Sequence, residues 1–196
     1  MDEILTNTLS SLHNEFHENE LAFLALSTKI ELPLRDRWAY SLYRDLFGKY
    51  VVSREWKRTD LAILNRGKPE ALIELKAMYT FDAVLAQEGV AGFSKAMEKD
   101  EKKALALANG IGSVYTVLLA THPKRIITTE YAGIIKYRRG INRAIKRFGS
   151  EEQVAKYAKQ TVHERLKHKC IIANGSLSCG MAYEVPTEVY YWIIKA

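Results

Sequence analysis

The sequence predicts a mixed α/β fold, a sheet of four or five strands flanked by helices, and three observations carry that reading. Two short runs rich in Leu and Ile, at 58–64 and 70–77, are separated by Asn65-Arg66-Gly67-Lys68-Pro69, whose Asn, Gly and Pro are the punctuation of a hairpin. A helical pattern precedes the pair: Leu34, Trp38, Leu42 and Leu46 recur every four residues after Pro33, and Gly48 marks the stop. A mostly helical stretch at 81–109 follows it, and then a continuous apolar run at 113–119. Strand, helix, strand is a βαβ unit, so the later strand is expected to lie parallel to the one spanning 70–77.

The remaining elements follow in order. Leu5, Leu9, Leu12 and Phe16 mark an amphipathic helix over 4–16, with Asp2 as its cap, and 21–26 adds a buried helical turn or two. His13 and His17 share a face there without a third ligand. An opening strand is expected at 50–56, linked tightly to Asp60 through Lys57-Arg58. In the 81–109 helix, Phe93, Met97, Ala104 and Ala108 form the packed stripe. Its Lys95, Lys99, Lys102 and Lys103 alternate with Glu98, Asp100 and Glu101 as a solvated, intrahelically paired face. Two basic helices fill 129–168, the first packing on Ile134, Ile135, Ile141, Ile145 and Phe148 and the second opening on a capping box at Ser150. The C-terminal segment 169–196 returns to β, with a hairpin turn read at Asn174-Gly175 and an apolar last strand at 189–194 that belongs inside a sheet or at a dimer seam.

Composition sets the bounds. A chain of 196 residues with 47% hydrophobic and 27% charged residues can bury a proper core as a single unit. No apolar run approaches a membrane span, and no basic-then-apolar leader opens the chain. Two cysteines, Cys170 and Cys179, make neither a disulfide framework nor a zinc site, which points to a reduced, cytoplasmic setting. The net charge of +6 is unevenly spread: between Thr121 and Cys170, thirteen Lys and Arg stand against four Glu, so the rest of the chain is slightly acidic. A local basic surface implies a polyanionic partner. Arg139, Arg143, Lys146 and Arg147 recur at three- and four-residue spacing and are the candidate nucleic-acid-binding stripe.

The chemistry sits on the hairpin. Strand alternation sends Glu74 and Lys76 to one face and Ile73, Leu75 and Ala77 to the other. A carboxylate and an ammonium on an apolar strand carry a desolvation cost unless they pair or bind something. Asp60, on the neighbouring strand, reaches the same face. Two hard oxygen ligands suit Mg²⁺, and a compact ammonium beside them suits an attacking water or a phosphate in transition.

Asp60, thirteen intervening residues, and then Glu74-Leu75-Lys76 resemble the D…(D/E)xK signature of the PD-(D/E)XK nucleases, the restriction-endonuclease-like superfamily. The likeness covers roughly residues 28–121, with Thr59 where the motif's proline would stand. Gln87 does not open the QxxxY pattern of one branch of that superfamily, because Ala91 replaces the Tyr. The resemblance implies a restriction-endonuclease-like core and a Mg²⁺-dependent DNA endonuclease, with Mn²⁺ as a substitute metal. Asp60 and Glu74 would be the metal ligands and Lys76 would act at the attacking water. Members often place an acidic residue on the helix before the sheet. Glu31 is the first choice, Asp36 the second, and Glu55 a further candidate; Glu31 equally suits a helix N-terminus on electrostatic grounds. A homodimer that cuts both strands is expected. The same site would serve a structure-specific repair or recombination nuclease, and the same fold a non-cleaving nucleic-acid-binding module.

Overall fold

A computed structural model describes residues 1–85 and 89–196; Gln87 falls outside them. The centre is one mixed sheet of six strands rather than four or five: β1 (Val51–Trp56), β2 (Thr59–Asn65), β3 (Lys68–Tyr79), β4 (Ser113–Pro123), β5 (Cys170–Ala182) and β6 (Val185–Lys195), in the order β1-β2-β3-β4-β6-β5. β3 and β4 are parallel, as the βαβ reading requires, and every other neighbouring pair is antiparallel. The apolar run in β6 is explained by its place: it lies between β4 and β5, covered on both faces.

Helices cover both sides. On one face α1 (Asp2–Ser10), α2 (Glu20–Ser27) and α3 (Glu31–Asp45) pack Leu5, Leu9, Leu34, Trp38 and Leu42 onto Leu61, Ile73, Leu75, Val117 and Ile193. On the other, α5 (Ala91–Ala108) and α7 (Glu151–Leu166) bring Met97, Ala104, Ala158 and Val162 against Leu72, Leu118, Trp192 and Ile194. A smaller cluster joins α4 (Thr80–Leu85) and α6 (Arg138–Phe148) at the end of β3, where Tyr79 meets Ile135, Ile141 and Ile145. Gly140 makes that seat possible: a Cβ there would stand 2.7 Å from the Phe81 ring. The basic helix α6 is therefore fixed to the sheet beside the end of β3. Ile134, expected beneath it, is instead 49% exposed, because it precedes the helix in a turn.

The three hairpins share one device. Lys57-Arg58, Arg66-Gly67 and Tyr183-Glu184 each hold two residues at positive φ, the twist that suits two-residue loops between antiparallel strands. The turn expected at Asn174-Gly175 is not there; both residues lie inside β5. Gly175 is opposite Tyr191 in the β5–β6 register, and a Cβ on it would fall 2.6 Å from the Tyr191 hydroxyl. That glycine serves the close approach of a ring, not a change of direction.

Candidate active site

The β2–β3 pairing sets the site. Leu61 opposes Ile73 in the last register pair, so Asp60 comes level with Glu74, and both share the face that Ala62 and Leu72 turn toward α5. Beyond this point β2 turns into its hairpin and the near edge of β3 loses its partner. Three consecutive amide donors on that edge are then taken by carboxylates. Asp60 Oδ2 accepts from Leu75 N at 2.8 Å, Glu31 Oε2 from Ala77 N at 3.0 Å, and Asp82 Oδ2 from Tyr79 N at 2.8 Å. Buried amides must find acceptors. Here the acceptors are anions drawn from β2, α3 and α4, so the broken ladder itself gathers negative charge.

Glu31, Asp60, Glu74 and Lys76 are brought together. Glu74 is 8% exposed, and its carboxyl is pushed up to about 8, first by burial, then by the adjacent Asp60 and by Asp100. Burial also raises Glu31, with Asp60 adding to the rise and Lys76 opposing it. Lys76 does not lie between Asp60 and Glu74 as a shared counter-ion. Its Nζ stands 2.7 Å from Asp100 Oδ2 and donates to Leu75 O at 3.1 Å. Burial works against its charge, yet Asp100 and Glu31 hold its pKa above the ordinary lysine value. Asp100 is lowered in turn: burial opposes its charge, and Lys76 and Lys103 outweigh it.

Asp100 is the residue that the sequence reading assigned to a solvated face. Met97, Asp100, Ala104 and Ala108 recur at three- and four-residue steps, so the packed stripe of α5 already ran through it. The other charges of that face divide: Lys103 does pair within the helix with Asp100 at 3.3 Å, whereas Glu101 reaches Lys169 at 3.0 Å.

Asp36 and Glu55 belong to a separate network. Arg35, 7% exposed, holds Asp36 at 2.8 Å and Glu55 at 2.7 Å, and Arg54 adds a second contact to Asp36 at 3.0 Å. Both carboxylates are thus already neutralised by guanidinium groups. Glu31, the first residue of α3, is the helix carboxylate that turns toward the sheet. On α6, Arg139, Arg143, Lys146 and Arg147 are all exposed, and none is ion-paired among the described residues.

The donor set fits a divalent cation. With Lys76 committed to Asp100, no Lys or Arg is ion-paired with Asp60 or Glu74 among the described residues, and the neighbouring Asp60 charge helps to push the Glu74 carboxyl up. Among the described residues no three His, Cys, Asp or Glu side chains are grouped as an ion cage. Magnesium does not require one, since it is commonly bound through one or two carboxylates with waters and substrate oxygens completing the shell. Comparison with protein-family models, curated proteins and solved structures gives no match for this chain.

Proposed function

We propose that the protein is a Mg²⁺-dependent DNA endonuclease with a restriction-endonuclease-like core, Mn²⁺ being able to replace Mg²⁺. The observation that carries this reading is the buried Glu74 carboxyl paired with half-buried Asp60, beside an ammonium held by a separate carboxylate. A structural ion pair would set Lys76 on Glu74 and leave no unmet charge. Here the lysine is secured elsewhere and the carboxylate pair remains open to a cation.

Asp60 and Glu74 are the residues that would hold the metal. When bound, it would lower the pKa of a water and offset charge gathering on the phosphate. The protein's own groups supply the rest. The Leu75 amide fixes one oxygen of Asp60 and leaves the other for a ligand. Lys76 stays protonated on Asp100 and presents a point charge to the attacking water or the phosphate oxygens. Glu31, anchored by the Ala77 amide and kept above the ordinary carboxylate range by burial, can accept or return a proton at the edge of the site. The exposed stripe of Arg139, Arg143, Lys146 and Arg147 tracks the phosphate backbone. Cutting both strands of a duplex calls for two such sites, so a homodimer belongs to the proposal.

Incubation of supercoiled, linear and branched DNA with and without Mg²⁺ tests the reading. Cleavage that needs the divalent ion and disappears in Asp60→Ala and Glu74→Ala is expected. A preference for branched over linear DNA would move the assignment to a structure-specific nuclease. Binding with no cleavage under any divalent ion would leave a nucleic-acid-binding module.

A further inference from the structure

Just past the carboxylates, where β3 ends, a cavity of about 170 Å³ opens among Lys29, Tyr79, Asp82, Phe93, Thr121 and Tyr137. It adjoins the proposed site through two of its walls. Ala77 lends its amide to Glu31, and Ile30 directly precedes Glu31 in the chain. A void of about 150 Å³ is enough to take a benzene ring. A cavity of this size therefore has room for a single nucleobase.

The lining suits a nucleobase. Tyr137 is 50% exposed at the rim and meets Tyr79 edge-on, with ring centroids 5.2 Å apart. Tyr79 is fixed from behind, its hydroxyl donating to Ala25 O at 2.7 Å and its amide to Asp82. The Thr121 and Tyr137 hydroxyls can both donate and accept, and Asp82 has one oxygen beyond the bond to Tyr79 N. Lys29 supplies a cation at the same wall, where it acts on both Glu31 and Asp82. Tyr137 is also the residue from which α6 starts, so the stripe of Arg139 and Arg143 leads from the cavity rim.

We infer that this cavity takes an unpaired base of the strand being cut. The substrate class is then DNA with unpaired nucleotides beside the scissile phosphate, rather than uninterrupted duplex. The inference rests on the nuclease reading for the meaning of the neighbouring carboxylates, but the pocket can be tested without cleavage. A base inside a duplex must be unstacked to enter such a pocket, and one that is already unpaired avoids most of that cost. Aromatic side chains then receive it by stacking.

The test is equilibrium binding by fluorescence anisotropy in EDTA, with a labelled duplex, the same duplex carrying one unpaired thymine, and a version with an abasic nucleotide there. The thymine bulge is expected to bind about tenfold more tightly than the plain duplex, with the abasic version losing most of the gain. Tyr137→Ala should abolish the gain while leaving duplex affinity unchanged, and the near-isosteric Thr121→Val, which spares the fold, should reduce it. Equal affinity for the thymine and abasic bulges, or a gain that survives both variants, would overturn the inference. A preference for the thymine bulge without cleavage under any divalent ion would keep the pocket and discard the nuclease. Equal cleavage of plain and bulged duplexes would keep the nuclease and discard the pocket.

Discussion

Lys76 is held 2.7 Å from Asp100 and leaves the Asp60–Glu74 pair to itself. The contact crosses from β3 to α5, and both side chains are largely shielded, 25% and 18% exposed. Removing one partner of such a pair strands the other. Asp100→Asn is expected to lower unfolding free energy by about 1–3 kcal/mol in urea titrations. Lys76→Met combined with Asp100→Asn should cost less than the sum of the two single changes, because neither charge is then left alone. Strict additivity in that cycle would show that the pair contributes nothing.

Under the nuclease proposal, turnover is expected to respond differently from affinity. If Lys76 acts on the developing charge, Lys76→Ala should reduce the single-turnover cleavage rate by about 10²–10³ with DNA affinity nearly unchanged. Lys76→Arg should rescue poorly, since a planar guanidinium cannot take the place of a compact ammonium against Asp100. Parallel loss of rate and affinity would make Lys76 a phosphate anchor only.

The Glu74 carboxyl predicts an unusual pH dependence for the metal-free protein. Its folded pKa is raised to about 8, whereas in the unfolded chain a glutamate ionises near about 4.3. Between those values the folded state binds more protons than the unfolded one, so this contribution to stability is complete below the lower value and lost as pH rises through the window. The sign is opposite to that of a salt-bridged carboxylate. In EDTA, denaturant unfolding should show the parent losing roughly a few kcal/mol more than Glu74→Gln between about pH 5 and pH 9. Parallel curves for the two proteins would remove the burial argument.

The α6 stripe makes its own prediction. Arg143→Ala with Arg147→Ala should weaken DNA binding at low salt and flatten the plot of log affinity against log salt by about two. Thermal stability should hardly change, because both side chains are exposed and neither is ion-paired among the described residues. An unchanged slope would return α6 to a solvated surface.

Gly175→Ala should destabilise the fold by about 1–3 kcal/mol, because the new methyl meets the Tyr191 ring inside the sheet. A thermal shift near zero would mean that Tyr191 swings aside without strain.

The parts of the fold that could be read from the sequence are those where pattern and punctuation agree. Asn65 to Pro69 marked the central hairpin, the alternation around Glu74 and Lys76 gave their face, and the run at 113–119 gave the parallel β4. The C-terminal hairpin failed because its two signals exchanged roles. Gly175 yields room to a ring, while the turn is made by Tyr183 and Glu184 at φ 52° and 57°, residue types that do not announce a turn. Asp100 escaped for a related reason. On a helix crowded with Lys and Glu, charge outweighed position, although the spacing from Met97 to Ala104 already set it on the packed side. The capping of three β3 amides by Asp60, Glu31 and Asp82 depends on where β2 leaves the ladder, and no residue pattern states that.

The claim that Asp60 and Glu74 form a divalent-cation site is tested most directly by calorimetric titration of Mn²⁺ into the metal-free protein, alongside Asp60→Asn and Glu74→Gln. Saturable binding to the parent is predicted, weakened at least about tenfold in each variant while their folded circular-dichroism spectra match the parent's. Equal Mn²⁺ affinity in the parent and both variants would contradict it.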